Sequence, residues 1–203
     1  MAKSIIYYTD NRVGEPIFSL CQKYIKEAGL PIVSTSLKPI NFGKNIVVEG
    51  VHSYPTMVKQ IVIALENSDS DYVFFCEHDV LYPKSHFDFT PPRDDLFYYN
   101  ANVWRWRYWE GTGDNKAITY DGMIPLSCLC ANRKFTLDHF HLRYKKIKEW
   151  GLDDLRAREP RTARIWGYEP GTKKKRNGGF TDLCYGAWRS EYPVVDIRHN
   201  KTF

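Results

Sequence analysis

The sequence predicts an α/β protein with a mostly parallel, Rossmann-like central sheet flanked by helices and folded as a single domain. Short β-prone runs alternate with amphipathic helical segments through the first part of the chain, which is the pattern of a parallel α/β sheet. Two of these runs end abruptly in polar triplets, Thr9-Asp10-Asn11 and Glu77-His78-Asp79, and ligands bind such sheets at the carboxyl ends of their strands. A length of 203 residues with 43% hydrophobic side chains suits one globular core.

The first half of the chain contributes strands and helices in alternation. Bulky apolar residues 4–8 predict the first strand. Residues 16–28 carry apolar side chains at helical spacing, and Pro16 and Gly29 suit the start and the end of a helix. The other elements predicted in this half are a strand over residues 31–37, a short strand over 45–48, a helix over 56–65 and a strand over 73–76.

The second half of the chain has a less regular pattern. Thr136 is expected to cap a basic helix that runs to Trp150 and ends at Gly151. The other elements predicted in this half are a strand over residues 96–106, a strand over 123–131, a long functional loop over 153–179 and a last short strand over 194–199.

The net charge of +5 is unevenly distributed along the chain. Residues 1–132 carry 12 Lys or Arg and 15 Asp or Glu, whereas residues 133–176 carry 14 basic and 6 acidic side chains. A basic segment on a nearly neutral body predicts a local anionic partner such as phosphate, nucleic acid or an acidic glycan. The alternative is that most of these side chains form a solvated surface.

The cysteines predict a reduced, intracellular protein. The chain has 5 cysteines, an odd number, and their spacing is not that of a structural zinc site. Cys128 and Cys130 lie two residues apart in an apolar run, so on a strand they would face the same way as buried side chains. We therefore expect a cytoplasmic location. The N-terminal apolar stretch is too short for a signal peptide and no window approaches a membrane span, so no transmembrane segment is expected.

Glu77-His78-Asp79 is the triplet with the clearest chemical meaning. Residues 73–76, Val-Phe-Phe-Cys, form an apolar run typical of a central strand buried on both faces. Two carboxylates at the tip of such a strand are costly unless a partner compensates them. Mg²⁺ and Mn²⁺ bind through a few carboxylates together with substrate phosphates, so a divalent cation is the predicted partner. The alternative is that these side chains only cap the strand end.

Residues 71–83, DYVFFCEHDVLYP, resemble the DxD segment of the GT-A glycosyltransferases, especially the family 2-like members. The resemblance implies a GT-A fold and a nucleotide-sugar donor whose diphosphate carries Mn²⁺ or Mg²⁺. Asp79 matches the metal-binding last acid of the motif, and Glu77 matches its more variable first position. In the segment Asp196-Ile197-Arg198-His199, His199 matches the histidine that many GT-A enzymes return to the metal, and is expected as a further ligand.

The same resemblance implies where the donor nucleotide binds. Thr9-Asp10-Asn11 match the strand-end loop that holds the base and ribose, and Glu77 and His78 are expected beside the donor as well. Lys59, one turn into a predicted helix, is a candidate for a phosphate contact, with a solvated lysine as the alternative. A UDP-sugar is the favoured donor.

The acceptor is expected to contact Trp104 and basic residues in the second half of the chain. Trp104 is the candidate for stacking on the apolar face of a sugar. In the family pattern, a Gly and an aromatic residue precede an acidic residue at the start of a helix. Residues 178–183 match this layout, so the resemblance implies that Asp182 is the catalytic base. Glu169 is the second candidate. The basic residues expected to bind the acceptor are Lys173, Lys174, Lys175 and Arg176.

The leading function is transfer of a hexosyl or pentosyl group to a hydroxyl of a glycan or a nucleic acid, including modified DNA bases. Residues 1–132 would form the nucleotide-sugar-binding half of the domain, and residues 133–203 the acceptor-side half. A sugar-nucleotide nucleotidyltransferase is the alternative enzyme, although a Gly-rich phosphate loop is lacking near the first strand. A non-catalytic nucleic-acid-binding module would explain the basic residues 156–176 but not the triplet Glu77-His78-Asp79.

Overall fold

The computed structural model describes residues 1–107, 116–119, 124–149, 169–172 and 184–199, with the backbone alone described at 116–119. Its strands and helices follow the alternation expected from the sequence in the first half of the chain. In chain order the elements are β1 (Lys3–Thr9), α1 (Ile17–Lys26), β2 (Ile32–Ser36), β3 (Lys44–Val47), α2 (Tyr54–Glu66), β4 (Tyr72–Glu77), β5 (Val80–Leu81), β6 (Phe97–Asn100), β7 (Val103–Arg107), β8 (Lys116–Thr119), β9 (Leu129–Asn132), α3 (Arg133–Glu149), β10 (Tyr185–Trp188) and β11 (Val194–Arg198).

Seven strands form the central sheet in the order β10-β6-β9-β4-β1-β2-β3. Within the described residues, β9 alone runs antiparallel to its neighbours, β4 and β6, while the other pairings are parallel. The predicted fold class, a single α/β domain with a mostly parallel sheet, is thereby confirmed. A second sheet of four strands, in the order β5-β11-β7-β8, was not predicted.

The middle of the central sheet is buried on both faces because β4 carries an uninterrupted apolar run, residues 73–76. In β4, Val73 and Phe75 pack into the core that contains α2 and α3, whereas Phe74 and Cys76 pack into the core on the opposite face. Phe74 and Phe75 are both 0% exposed. Truncating a buried Phe to Ala costs about 3–5 kcal/mol in typical cores. The uninterrupted apolar run of residues 73–76 is therefore a central strand, as predicted.

Helix α2 begins where its sequence supplies a cap. The hydroxyl oxygen of Ser53 accepts a hydrogen bond of 3.2 Å from the backbone N–H of Thr56, and Pro55 lies in the first turn. The helix therefore begins two residues before the predicted range of 56–65. Its N-terminus lies at the carboxyl edge of the parallel strands, which is the edge where ligands bind in such sheets.

The prediction that Thr136 caps the third helix was wrong. Helix α3 begins at Arg133, and the side-chain oxygen of Asn132 accepts a hydrogen bond of 3.1 Å from the N–H of Phe135. The hydroxyl of Thr136 instead donates to the carbonyl of Asn132 at 2.8 Å and is buried. Asn is as good a cap as Thr, and here it directly follows β9. The predicted end at Trp150 lies outside the described residues.

The predicted strand over residues 96–106 is two strands in different sheets. The side-chain oxygen of Asn100 accepts a hydrogen bond of 2.9 Å from the N–H of Asn102, which turns the chain between β6 and β7. The amide nitrogen of Asn100 also donates to His86 at 3.0 Å and to Ser190 at 2.7 Å. Asn100 thus ends one strand and ties the two sheets together.

The strand predicted over residues 123–131 is shorter than expected. Pro125 introduces a single 3-10 turn, Leu126–Cys128, and the strand itself is Leu129–Asn132. Cys128 and Cys130 nonetheless lie in the same apolar core, as their spacing suggested, and the described cysteines are free thiols. Of the predicted loop over 153–179, residues 169–172 alone are described. None of the helices in the described ranges is long and apolar enough to cross a membrane.

Candidate functional site

The carboxyl ends of β1 and β4 lie side by side at one edge of the sheet. Tyr8 pairs with Glu77 in the parallel register, and the hydroxyl of Tyr8 donates to Glu77 Oε1 at 2.5 Å. The two polar triplets at residues 9–11 and 77–79 therefore begin next to each other, as the sequence pattern predicted. Their proximity follows from the parallel pairing, because it places both strand ends at the same edge.

Asp79 and His199 meet at this edge through the second sheet. The chain turns after β4 into β5, which pairs antiparallel with β11, so that Val80 lies opposite Asp196. The N–H of Ile197 donates to the carbonyl of Asp79 at 2.9 Å. This register brings the end of β11 back to Asp79, and His199 Nε2 lies 3.4 Å from Asp79 Oδ2. Both side chains are buried, with exposed fractions of 5% for Asp79 and 8% for His199.

Further charged groups surround this pair. Asp196 Oδ2 accepts from Arg198 Nη2 at 2.9 Å and lies 3.4 Å from Arg105 Nε. Burial raises the pKa of Asp196, and the charge of Asp79 adds to that effect while Arg198 opposes it. Asp196 belongs to the same segment as His199, residues 196–199, but the sequence predicted no role for it. Only the pairing of β11 with β5 and β7 reveals that it is buried beside the predicted metal ligands.

The two carboxylates of Glu77-His78-Asp79 differ in their protonation. Burial, followed by the charge of Asp79, raises the pKa of Glu77 from its usual 4.5 to about 8. Burial works in the same direction on Asp79, but the contact with His199 and the charges of His78 and Arg198 outweigh it and lower the pKa of Asp79. Asp79 is therefore the ionised acid of the pair, while Glu77 is largely protonated near neutral pH and bonded to Tyr8.

Asp79 and His199 fit a divalent cation that is shared with a bound diphosphate. One ionised carboxylate and one imidazole nitrogen lie 3.4 Å apart, and both side chains are buried. Among the residues that the structure describes, no group of three or more His, Cys, Asp or Glu is arranged to hold a metal by itself. Mg²⁺ and Mn²⁺ take few protein ligands when substrate phosphates supply the others, so a pair is compatible with such a site. Glu77 as a third ligand stays a prediction.

The loop after β1 is held in place by its own side chains. Asn11 has a positive φ of 61°, and its side-chain oxygen accepts from the N–H groups of Leu37 at 2.8 Å and Lys38 at 2.9 Å. Gln60 Nε2 donates to the carbonyl of Thr9 at 2.8 Å, and the hydroxyl of Thr9 accepts from the N–H of Asn11 at 3.0 Å. Thr9 and Asn11 thus shape the predicted nucleotide loop, and a contact of theirs with a nucleotide stays a prediction.

Asp10 forms a cluster with two residues for which the sequence predicted no role, Arg12 and His52. Asp10 Oδ2 lies 2.6 Å from Arg12 Nε and 2.5 Å from His52 Nδ1. Asp10 is 12% exposed at its side chain. Burial acts against ionisation, but the charges of His78 and Arg12 lower the pKa of Asp10. A His in the loop before α2 carried no periodic or motif signal, since its partner is distant in the sequence.

Contacts with the donor were also predicted for His78 and Lys59, and they stay predictions. His78 lies between Glu77 and Asp79, and its Nδ1 is buried without a hydrogen-bond partner in the described part of the chain. Lys59 instead donates to the carbonyl of Glu49 at 3.2 Å, which fixes its ammonium group in the loop before α2. Its predicted phosphate contact is untested.

Trp104 and Trp106 lie on the same face of β7, as strand alternation predicted. They are 39% and 37% exposed. The parallel pairing with β11 places Trp104 opposite Val195 and Trp106 opposite Ile197. Trp106 is therefore two residues nearer than Trp104 to the end of β11 that carries His199, which the sequence alone did not indicate.

The candidates for the catalytic base and for acceptor binding lie in the least described part of the chain. Asp182 falls outside the described residues. So do the basic residues Lys173, Lys174, Lys175 and Arg176. Glu169 begins a short described turn in which Tyr99 donates to the carbonyl of Pro170 at 2.6 Å. Its charge contributes to the raised pKa of the buried Tyr54 at the start of α2, an effect due mainly to burial.

No protein-family model matches this chain. Among curated proteins, the pantothenate synthetase of Pseudothermotoga lettingae is 37% identical over 68 residues, which cover 34% of this chain and 23% of that enzyme. This chain thus spans about a quarter of the length of that relative.

Solved structures resemble the chain over most of its length. A glycosyltransferase involved in the glycosylation of the major capsid of PBCV-1 matches with a TM-score of 0.51, covering 97% of this chain and 93% of that chain at 7% identity. TarS of S. aureus in complex with UDP-GlcNAc matches with a TM-score of 0.46, covering 100% and 60% of the two chains at 9% identity. At 7% identity the first likeness concerns the fold alone. The chain therefore has a fold similar to that of a glycosyltransferase.

Proposed function

We propose that this chain is a metal-dependent glycosyltransferase that moves a sugar from a nucleotide sugar to an acceptor hydroxyl. The observation that carries the proposal is the meeting of Asp79 and His199 at the carboxyl edge of the sheet, with 3.4 Å between their side chains. The similarity of the fold to a glycosyltransferase supports the same reading. The two observations are independent, because one concerns the fold and the other concerns two side chains at its ligand-binding edge.

Asp79 and His199 would hold Mn²⁺ or Mg²⁺ together with the oxygens of the donor diphosphate. The lowered pKa of Asp79 keeps its carboxylate ionised and ready to bind a cation. Such a metal, when bound, offsets the negative charge of the departing diphosphate. Glu77 would assist indirectly, since its hydrogen bond to Tyr8 holds the strand end that leads to Asp79.

The donor in this proposal is a hexose or pentose nucleotide, with a UDP-sugar favoured. The loop at residues 9–11 and the imidazole of His78 lie at the strand ends where a nucleotide would bind. The loop is rigid, because Asn11 bonds it to the end of β2 through Leu37 and Lys38. A preformed loop binds its ligand without first having to be ordered, which favours affinity.

If the transfer inverts the anomeric carbon, one carboxylate accepts the proton of the acceptor hydroxyl. The oxygen of that hydroxyl forms a bond to the anomeric carbon while the bond from this carbon to the diphosphate oxygen breaks. Asp182 is the first candidate for this base and Glu169 the second. The turn that carries Glu169 is anchored to β6 by Tyr99.

The acceptor in this proposal is a glycan or a nucleic acid that meets the enzyme in the cytoplasm. The exposed ring of Trp104 suits stacking against the apolar face of a sugar. The basic residues 173–176 suit a polyanionic acceptor such as modified DNA. The sugar ring of the acceptor would thus stack on Trp104, and its negative charges would bind the basic residues 173–176.

A panel of nucleotide sugars tests the proposal directly. The purified chain is incubated with each donor and Mn²⁺, and release of the nucleoside diphosphate is measured, with a chelator in parallel samples. We expect hydrolysis of at least one donor that stops with the chelator. Absence of hydrolysis for every donor, together with turnover of a nucleoside triphosphate and a sugar phosphate, would assign the chain to the nucleotidyltransferases instead.

A further inference from the structure

Arg12, Asp10 and His52 form a closed triangle of hydrogen bonds at the carboxyl edge of the sheet. Arg12 Nε donates to Asp10 Oδ2 at 2.6 Å, and His52 Nδ1 lies 2.5 Å from the same oxygen. Arg12 Nη2 lies 2.7 Å from His52 Nε2, which closes the triangle. The N–H of Arg12 also donates to Asp10 Oδ1 at 3.0 Å. The cluster joins the loop after β1 to the loop before α2.

The contacts of His52 determine its tautomer. A guanidinium group only donates hydrogen bonds, so His52 Nε2 must accept from Arg12 and therefore carries no proton. The single ring proton lies on Nδ1, which donates to Asp10. His52 is thus neutral in this arrangement. The pKa of His52 is lowered, which is consistent with a neutral ring. Burial is the main cause and the charge of Arg12 lowers the pKa further, while the charge of Asp10 acts in the opposite direction.

Asp10 itself is poorly placed to bind an anionic donor. A carboxylate has about four acceptor positions. Arg12 and His52 take three of them through the contacts described above. A phosphate group would also be repelled by the negative charge of Asp10. Arg12, by contrast, keeps 40% of its side chain exposed.

The position of the cluster favours a contact with phosphate. The parallel pairing of Tyr8 with Glu77 places the loop that carries Asp10 and Arg12 beside the triplet that contains Asp79. The diphosphate in the proposed function would lie at Asp79. A guanidinium fork matches phosphate oxygens in geometry and in charge.

We propose that Arg12 contacts the diphosphate of the nucleotide donor and that Asp10 and His52 are positioning residues that hold its guanidinium group. The proposal rests on the proposed function and adds a second cation to it, next to the metal. Asp10 orients Arg12 through Nε, and His52 orients it through Nη2. These two contacts fix the orientation of the guanidinium plane.

The test measures binding of UDP and of uridine by calorimetry in the presence of Mn²⁺. In the variant Arg12→Ala we expect the Kd of UDP to rise about 10- to 100-fold, as for the loss of a hydrogen bond to a charged group. Uridine lacks phosphate, so its Kd should be unchanged. Arg93→Ala is the matched control, because Arg93 chelates Asp95 two residues away in an exposed pair of the same kind.

A second variant separates positioning from simple loss of structure. In His52→Gln the amide can still donate to Asp10 and accept from Arg12, but it cannot gain a proton. We expect this variant to bind UDP as wild type does at neutral pH. As the pH falls through the lowered pKa of His52, the protonated ring would direct an N–H towards Arg12, so the wild type should lose UDP affinity more steeply than the variant. Asp10, Arg12 and His78 are the charged or titratable groups whose effect on His52 is described.

The outcomes distinguish this inference from the proposed function. If the wild type binds UDP and Arg12→Ala binds it equally well, Arg12 is not a phosphate contact and the glycosyltransferase proposal is unaffected. An equal loss for UDP and uridine would show that Arg12 only shapes the loop, which also overturns the inference. If the wild type binds none of the diphosphates UDP, GDP, CDP and dTDP, both proposals fail.

Discussion

His199 Nε2 lies 3.4 Å from Asp79 Oδ2, although the two residues are far apart in the chain. The contact exists because a two-residue strand, β5, follows Asp79 directly and pairs with β11. Pairing of β11 with β5 extends to the hydrogen bond from Ile197 to the carbonyl of Asp79. A short strand thereby brings the end of the described chain to the carboxyl edge of the central sheet.

Replacing Asp79 by Asn should abolish metal-dependent binding of a nucleoside diphosphate. The substitution keeps the shape of the side chain but removes the charge that would hold the cation. Calorimetry with UDP and Mn²⁺ measures the effect, and circular dichroism checks the fold. Asp95→Asn, an exposed acid in an ion pair away from this edge, serves as the control. Wild-type affinity in Asp79→Asn would rule out a metal role for this residue.

Shortening the chain tests His199 without introducing a new side chain. A chain that ends at His199 should keep donor hydrolysis, whereas a chain that ends at Arg198 should fold but lose most of it. The two differ by the imidazole that faces Asp79 and by one backbone unit. Rates of diphosphate release at saturating donor are the measurement. Similar turnover by both chains would contradict the assignment of His199 as a ligand.

The buried carboxyl group of Glu77 should make stability depend on pH in metal-free protein. Its pKa is about 8 when folded and near 4.5 when exposed, so the folded state retains a proton that the unfolded state releases. Its contribution is fully present below about pH 4.5 and is lost as the pH rises towards 8. We expect the free energy of unfolding to fall by a few kcal/mol, about 1.4 per pKa unit at most, across this window.

Urea titrations at several pH values in a chelator measure this dependence. The variant Glu77→Gln can still accept the hydrogen bond from Tyr8 but does not titrate. Its stability should vary less between pH 5 and 8 than that of the wild type. An identical pH profile for the two proteins would show that Glu77 is ionised in the folded state.

Gly43 should tolerate substitution much less well than Gly29, although both have a positive φ. A Cβ at Gly43 would lie 2.4 Å from the carbonyl oxygen of Ile32, whereas a Cβ at Gly29 would meet nothing within 4 Å. Gly29→Ala should therefore cost only the left-handed backbone term of about 1–2 kcal/mol. Gly43→Ala should cost about 1–3 kcal/mol more, because β2 must shift. Equal losses in thermal unfolding would refute the clash.

The basic residues 173–176 are predicted to bind the acceptor rather than the donor. If the acceptor is polyanionic, its KM should rise steeply between about 50 and 200 mM salt, as released counterions require. Donor KM, which depends on a metal in a cleft, should respond much less. The triple substitution of Lys173, Lys174 and Lys175 by Ala should raise acceptor KM and flatten its salt dependence. Equal salt sensitivity for both substrates would identify a solvated surface instead.

The sequence by itself determined the class of fold and the position of the acidic triplet, residues 77–79, at the end of a buried strand. Strands that are buried on both faces have continuous apolar runs, without the alternation of apolar and polar residues. The alternation of such strands with helices predicts a parallel sheet. The carboxylates at residues 77–79 could then be placed at the ligand-binding edge, since parallel strands end together. Local physics suffices for these conclusions, because each depends on residues that are close in the chain.

Tertiary structure alone decided the rest of the candidate site. The break at Asn100, the second sheet and the approach of His199 to Asp79 depend on pairings between distant segments. The raised pKa of Glu77 and the lowered pKa of Asp79 likewise arise from burial and from neighbours that no local pattern reveals. The cluster of Arg12 and His52 with Asp10 could not be predicted from the sequence either, because it forms only after β1 and α2 have packed. Strand register, burial and electrostatics are properties of the whole fold, so they become readable only once it has formed.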